Sequence, residues 1–321
     1  MGRDAAIPEP SLIFEPVQDG YGTRLALVFG NEAPGGACPF YGRQCYHCDI
    51  GAGEGIQFNP DLNTSRLAFF RRHYAAVLNR AAHLVIYNSG SVLNPHEFSN
   101  QSLQGILKCA AELPGCRVVS LDSRESFITT ERLNFVLEHL RGDQQPRPIL
   151  GLETQDEAAR LTVLNKKMLR SNVETAFRTA GQCQGRVGMD INIVFGPPPF
   201  RDREAVAEAE ATARYVLDLA ERHGVPVDFN LHPYYPSHIG RERFPGHPRA
   251  DLAAALETAQ SIRVIATRSN LCPKVFIGWQ DEAHDQEPAF RLAELRRYRE
   301  LFFRFNAQPL NSGLIHPPDG M

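Results

Sequence analysis

The sequence predicts an α/β fold: a partial (β/α)6 open barrel of parallel strands with a C-terminal extension. Three observations predict it. Short apolar runs, often β-branched, recur along the chain; segments of helical periodicity separate them; and a polar or glycine-containing cluster follows the end of each run. Strands that alternate with helices require a parallel sheet, and crossovers of one hand curl six such units into an open barrel.

Residues 1–22 carry Pro8, Pro10, Pro16, Gly20 and Gly22 with little periodicity and read as an extended N-terminal arm. Arg24-Leu-Ala-Leu-Val-Phe29 is the first strand. Leu67, Phe70, Tyr74 and Val77 follow at helical spacing, with Asn63 or Thr64 as cap. The next five strands are Leu84-Val-Ile-Tyr87, Arg117-Val-Val-Ser-Leu121, Pro148-Ile-Leu-Gly-Leu152, Asp190-Ile-Asn-Ile-Val-Phe195 and Pro226-Val-Asp-Phe-Asn-Leu231. Between them lie helical patterns such as Leu133, Val136, Leu137, Leu140 and Val206, Ala209, Ala213, Val216, Leu217, Ala220. The barrel therefore spans 23–235, and 236–321 form an extension on the substrate side. That extension contains the rest of a His- and Arg-rich loop (232–249), a helix near 251–262, a strand-like Lys274-Val-Phe-Ile277, a polar segment 279–285 and a last helix over 288–303.

In parallel α/β architectures ligands bind at the carboxyl ends of the strands. Here those ends carry a cysteine loop, Asn88-Ser-Gly-Ser91, Asp122-Ser-Arg124, Glu153-Thr154, Gly196-Pro-Pro198 and His232-Pro-Tyr-Tyr235. The cysteine loop is Cys38-Pro-Phe-Tyr-Gly-Arg-Gln-Cys45-Tyr-His-Cys48, with Gly35, Gly36, Gly42 and Gly51 around it. Three thiolates this close in a flexible loop suit one soft metal centre. A closed zinc or iron–sulfur site takes a fourth ligand, and no fourth cysteine is near; three sulfurs on a four-iron cube leave one iron open for chemistry. A zinc loop completed by His47 or by a distant ligand is the alternative.

Composition narrows the function class. With 321 residues, 43% hydrophobic, 22% charged and a net charge of -3, the chain has an ordinary globular composition. It shows no long apolar run and no charged-then-apolar leader, so no membrane partner and a cytoplasmic location are expected. Cys109, Cys116, Cys183 and Cys272 are scattered and read as small buried hydrophobes in a reducing compartment. Thirty of the 34 basic residues are arginine, but no basic run stands out. Polynucleotide binding depends on phosphate neutralisation, so near-neutrality favours a small-molecule substrate over tRNA.

The cysteine loop resembles that of the radical S-adenosylmethionine (SAM) superfamily, with six residues rather than the usual three in its first gap. Tyr87-Asn-Ser-Gly-Ser-Val-Leu-Asn-Pro95, Asp122-Ser-Arg124, Gly151-Leu-Glu-Thr-Gln-Asp-Glu157 and Leu164-Asn-Lys166 resemble, in order, motifs of the branch that holds the Elongator catalytic subunit and the radical-SAM subunit of archaeosine synthase. No counterpart of the Elongator acetyltransferase domain is expected from these 321 residues. The resemblance implies a [4Fe-4S] cluster on Cys38, Cys45 and Cys48, SAM as second cofactor, and a 5′-deoxyadenosyl radical that takes hydrogen from the substrate. It also implies an electron donor such as flavodoxin or ferredoxin. The family places an aromatic residue before the third cysteine, against the adenine; here His47 holds that position, with Tyr46 before it.

On the SAM side the expected contacts are Ser89, Gly90 and Ser91 at the methionyl end, with Asp122 beside them, Arg124 on the carboxylate, Glu153 on the ribose and Gly196 beneath the adenine. His232, Tyr235 and Arg241 are expected to meet an anionic substrate, because arginine forks and histidine donors both favour anions. Two other readings stand beside the small-molecule enzyme: radical-SAM modification of a tRNA base, and a zinc-stabilised RNA- or protein-binding module without turnover.

Overall fold

The computed structural model describes residues 16–40, 42–48, 61–278 and 289–309. Eight strands form one sheet in chain order: β1 (Val17–Asp19), β2 (Gly22–Phe29), β3 (His83–Asn88), β4 (Val118–Ser123), β5 (Gln145–Glu153), β6 (Met189–Phe195), β7 (Val227–Pro233) and β8 (Val275–Ile277). β1 pairs antiparallel with β2, and each strand from β2 to β8 is parallel to the next. Helices α1 (Leu62–His73), α2 (Ala75–Leu78), α3 (Asn100–Glu112), α4 (Thr130–His139), α5 (Arg170–Gly181), α6 (Asp202–His223), α7 (His238–Arg243), α8 (Leu252–Thr267) and α9 (Ala289–Ala307) complete the described chain. Together they make the open α/β barrel that the strand pattern implies.

Two details differ from the sequence expectation. Part of the N-terminal arm is the edge strand β1, and the strand-like run after 273 joins the sheet as β8, which gives seven parallel strands rather than six. Each of these strands is three residues long, too short for alternation to show. The loop 232–249 also contains a helical turn, α7, capped by Ser237, whose Oγ accepts from Gly240 N at 2.8 Å. The polar segment 279–285 lies outside the described residues.

Alternation along the strands divides the barrel. Leu25, Leu27, Phe29, Ile86, Leu121, Leu150, Ile191, Phe229 and Leu231 join the helices in one apolar cluster between sheet and helices. The residues between them face the barrel axis: Ala26, Val85 and Ile149 form a small apolar layer, with Tyr87 against it. Helix α6 lies close on the sheet because Ala205, Ala209, Ala213 and Ala220 make its buried face. Side chains finish the open edge: the Asn306 carboxamide on α9 donates to Ile277 O (3.0 Å) and accepts from Ile277 N (2.8 Å), as a further strand would.

Below the apolar layer, at the amino ends of the strands, lies a buried polar floor. Arg147 Nε donates to Asp190 Oδ1 (2.5 Å) and its Nη2 lies 3.1 Å from Asp228 Oδ2. Ser120 Oγ donates to the other Asp190 oxygen (2.5 Å), and the His83 ring bridges Ser120 (2.7 Å) to Asp19 (2.6 Å). Tyr21 OH donates to Asp228 (2.6 Å) while Lys274 Nζ lies 3.1 Å above the Tyr21 ring. The floor thus ties the β1–β2 turn to β7 and β8. Burial raises the Asp19 carboxyl, but His83 and Arg24 outweigh it and hold the group below its usual range.

Candidate active site

The opposite end of the barrel collects the polar strand ends. The cysteine loop leaves β2 and crosses the rim to the segment after β5. There Cys45 N donates to Asn165 O (3.3 Å), Tyr46 N donates to Leu164 O (3.0 Å), and Asn165 Nδ2 donates back to Arg43 O (2.9 Å). Asn165 takes φ 52° and Lys167 φ 56°, an alternation that turns this short segment's carbonyls toward the loop. Cys45 itself is left-handed at φ 53°, and Cys48 N closes a turn on Cys45 O at 3.0 Å. Cys38, Cys45 and Cys48 are half-buried and form no disulfide with one another. They share one loop but do not converge on a point: among the described residues no three His, Cys, Asp or Glu side chains are placed to hold a metal ion.

The groups around the loop nonetheless suit a three-thiolate centre. Arg124 Nη1 is 4.0 Å from Cys45 Sγ, and the buried Lys166 ammonium senses the Cys45 charge. Two cations beside one thiol offset the negative charge that clustered thiolates carry. Gly35, Gly36 and Gly42 occupy positive φ, which only glycine enters without strain, so the loop can draw in.

A buried ion pair, Glu153–Lys166, sits on the rim beside the loop. Lys166 Nζ donates to Glu153 Oε1 at 2.5 Å, and His47 Nε2 approaches the same oxygen at 3.4 Å. Burial alone would raise the Glu153 carboxyl, but Lys166 and His47 outweigh it and hold the group well below the carboxylate range. Burial would likewise lower Lys166, yet Glu153 and the Cys45 charge keep it above its ordinary value. Glu153 stands at φ 67° beside a register shift in β5, which swings its carboxylate over Gly151. A Cβ on Gly151 would come within 2.6 Å of Glu153 Oε1, so the strand needs glycine there.

Across the rim, Glu97 organises the turn after β3. Its carboxylate accepts from Ser91 N (2.9 Å), Asn94 Nδ2 (2.5 Å) and Asn31 Nδ2 (3.4 Å). Gly90 is at φ 156°, and a Cβ there would overlap that carboxylate. Ser91 Oγ meets Ser123 Oγ (3.1 Å) and accepts from Arg124 N (3.2 Å), which joins the ends of β3 and β4. Ser89 O accepts from Asn31 Nδ2 at 2.6 Å. Asp122 supports the same turn through its backbone, its O accepting from Val92 N at 2.8 Å. Beneath lies Asn88, fully buried; among the described residues neither of its carboxamide atoms has a hydrogen-bond partner, nor do the buried Gln44 Oε1 and His47 Nδ1.

The remaining expected residues lie on the far side. Gly196 is at φ 71° and its carbonyl oxygen accepts from His247 Nε2 (3.1 Å). A Cβ there would meet Ala205 and Ala250 at 3.7 Å, an ordinary contact, so conformation rather than space calls for glycine. The His232 ring packs on Gly278 beside β8. Tyr235 is stacked under Arg249 (4.2 Å), and Arg241 Nη1 donates to Pro236 O (3.1 Å) on α7. The loop 232–249 does reach the cysteine loop: Ser237 Oγ donates to Tyr46 O (2.6 Å) and the Arg243 guanidinium lies 5.0 Å over the Tyr46 ring.

The structure therefore gathers Ser89, Gly90, Ser91, Arg124, Glu153, Tyr46 and His47 around the cysteine loop, while His232, Tyr235 and Arg241 are dispersed over its far side. Sequence reasoning did not single out Glu97, Lys166 or Asn88. Lys166 was visible only as the last residue of Leu164-Asn-Lys166, and Glu97 only as an acid after the Asn94-Pro-His turn.

Solved structures share this open parallel barrel fold. SuiB of Streptococcus suis superimposes with a TM-score of 0.51 at 12% identity, covering 79% of this chain and 48% of SuiB. SuiB bound to its precursor peptide SuiA gives 0.52, with the same identity and coverage. Elp3 of Methanocaldococcus infernus gives a TM-score of 0.48 at 12% identity, covering 76% of this chain and 59% of that one. By sequence, an uncharacterised protein of Methanocaldococcus jannaschii is 24% identical over 134 residues, 42% of this chain and 36% of the relative. The chain thus spans about a third of that relative's length and about half of SuiB's. No family model matches.

Proposed function

We propose that this chain is a radical SAM enzyme acting on a small anionic substrate. The observation that carries the reading is the docking of the three-cysteine loop on the carboxyl rim, with Arg124 beside Cys45 and, among the described residues, polar atoms of Asn88, Gln44 and His47 buried nearby without hydrogen-bond partners. Buried polar atoms cost free energy unless something meets them, and a polar ligand on the rim would do so.

In this reading Cys38, Cys45 and Cys48 hold a [4Fe-4S] cluster. With SAM bound, that cluster supplies a 5′-deoxyadenosyl radical once a one-electron donor such as flavodoxin or ferredoxin has reduced it. The chain's own residues position and enclose. Ser89, Gly90 and Ser91, held by Glu97 with Asp122 behind them, offer backbone and hydroxyl groups to the charged methionyl end. Glu153 is kept ionised by Lys166 and accepts from ribose hydroxyls, and Gly196 with Tyr46 and His47 borders the base. On the substrate side, Arg243 lies over Tyr46 and His232, Tyr235 and Arg241 lie farther along the same side; guanidinium and imidazole donors suit a carboxylate or phosphate.

Anaerobic reconstitution with iron and sulfide, followed by dithionite and SAM, tests the reading. The expected result is a brown protein with four irons per chain that releases methionine and 5′-deoxyadenosine. A colourless protein that binds one zinc and leaves SAM intact overturns it.

A further inference from the structure

Arg124 meets the cysteine loop at two points, Phe40 and Cys45. Phe40, two residues after Cys38, lies flat against the guanidinium, 4.1 Å from ring centre to Cζ. Nη1 approaches Cys45 Sγ at 4.0 Å, Nη2 donates to Lys166 O at 2.7 Å, and Nε lies 3.5 Å from Glu125 Oε2. Its backbone N donates to Ser91 Oγ at 3.2 Å, so the residue is also fixed to the turn after β3. One side chain thus touches the loop on both sides of Gly42. It also touches the carbonyl segment 164–166 on which Cys45 and Tyr46 dock.

This arrangement differs from the carboxylate contact that the sequence suggests for Arg124. A guanidinium has two flat faces and five N–H donors in a fixed fork; here the Phe40 ring lies against a face, Nη2 donates to Lys166 O, and Nε lies at ion-pair distance from Glu125. A planar cation that stacks on one residue and forks to others holds a flexible loop at low entropic cost, because its geometry is already set. The loop it holds needs such a hold: it is rich in glycine, with Gly35, Gly36, Gly42 and Cys45 all at positive φ.

We propose that Arg124 is a positioning residue. With the carbonyls of Leu164, Asn165 and Lys166 it clamps the cysteine loop to the rim before any metal is bound, and it places a fixed positive charge beside Cys45. The proposal rests on the radical SAM reading only for the meaning of the charge; the clamp itself belongs to the metal-free chain.

Hydrogen–deuterium exchange on the full-length, metal-free protein tests the clamp. The Cys45 and Tyr46 amides, bonded to Asn165 O and Leu164 O, should exchange slowly in the wild type. In Arg124→Met they should exchange at least tenfold faster, while amides within β4 and β5 keep their protection. Arg124→Lys, which keeps a cation and one donor but not the fork or the stack, should fall between. In reconstituted protein the reduction potential of the cluster should shift downward in Arg124→Met and recover in Arg124→Lys, a response that loosened packing alone would not reverse.

Unchanged exchange at Cys45 and Tyr46 in Arg124→Met, with SAM affinity lost, would overturn the clamp and return the residue to the SAM carboxylate. If wild-type protein takes up no iron yet Arg124→Met frees the loop, the clamp stands and the enzyme assignment falls. The two readings therefore fail separately.

Discussion

The two ends of this barrel are both polar and both buried, yet they are built on opposite terms. At the floor nearly every charge is answered: Arg147 serves Asp190 and Asp228, His83 bridges Asp19 and Ser120, and Tyr21 caps Asp228. At the rim one tight pair, Glu153–Lys166, stands beside buried atoms of Asn88, Gln44 and His47 that lack partners. A satisfied network rigidifies a fold, whereas unsatisfied groups destabilise it unless something else meets them. The difference teaches that the floor ties the barrel shut by its own side chains, whereas the rim, in the proposed reading, leaves polar atoms for a ligand to meet.

The largest way to break this comparison is at the cysteines. Replacing Cys38, Cys45 or Cys48 with Ala should abolish iron loading, measured as iron and sulfide after anaerobic reconstitution, and leave the melting temperature of the metal-free chain nearly unchanged. Cys109→Ala and Cys183→Ala should load iron as the wild type does. Full iron content in Cys45→Ala would remove the rim from consideration.

Arg147→Met strikes the floor instead. It strands two buried carboxylates, and removing one partner from such a network costs about 3–5 kcal/mol, to be read from urea unfolding. The folded fraction should still load iron normally. A loading defect equal to the stability defect would show that floor and rim are not separate.

Glu153→Ala should weaken SAM binding by about 1–3 kcal/mol in calorimetry on reconstituted protein. Its ionisation also sets a pH window. Because the folded group titrates below its ordinary value of 4.5, its stabilising share is complete above that pH and is lost as pH falls through the lower, folded value. Acid unfolding of Glu153→Gln should lack that share, so its stability should fall less steeply below pH 4.5 than the wild type's.

Tyr21→Phe is the mildest probe. It removes the single donor from Tyr21 to Asp228 and should cost about 1 kcal/mol with SAM affinity unchanged. A larger loss confined to SAM binding would contradict a floor that only closes the barrel.

Much of the fold was legible because strand and helix periods are local properties. The runs 24–29, 84–87 and 190–195 each fall within a strand of the sheet, 226–231 overlaps β7 from its second residue on, and Asp251 caps α8 by accepting from Ala254 N at 2.9 Å. The cysteine spacing and the polar residue after each strand likewise needed only the chain order, since a parallel barrel brings all its carboxyl ends to one rim. What the sequence left open came from contacts between distant segments. Tyr21 and Asp228 are 207 residues apart, and nothing near either one announces the floor. Glu97 could be placed under Gly90 only once the turn had folded, and Arg124 could be seen against Phe40 only once the loop had docked. Local periodicity determines which face of an element is apolar; which polar groups meet across the barrel is fixed by how six crossovers return the chain, and that is decided by tertiary packing alone.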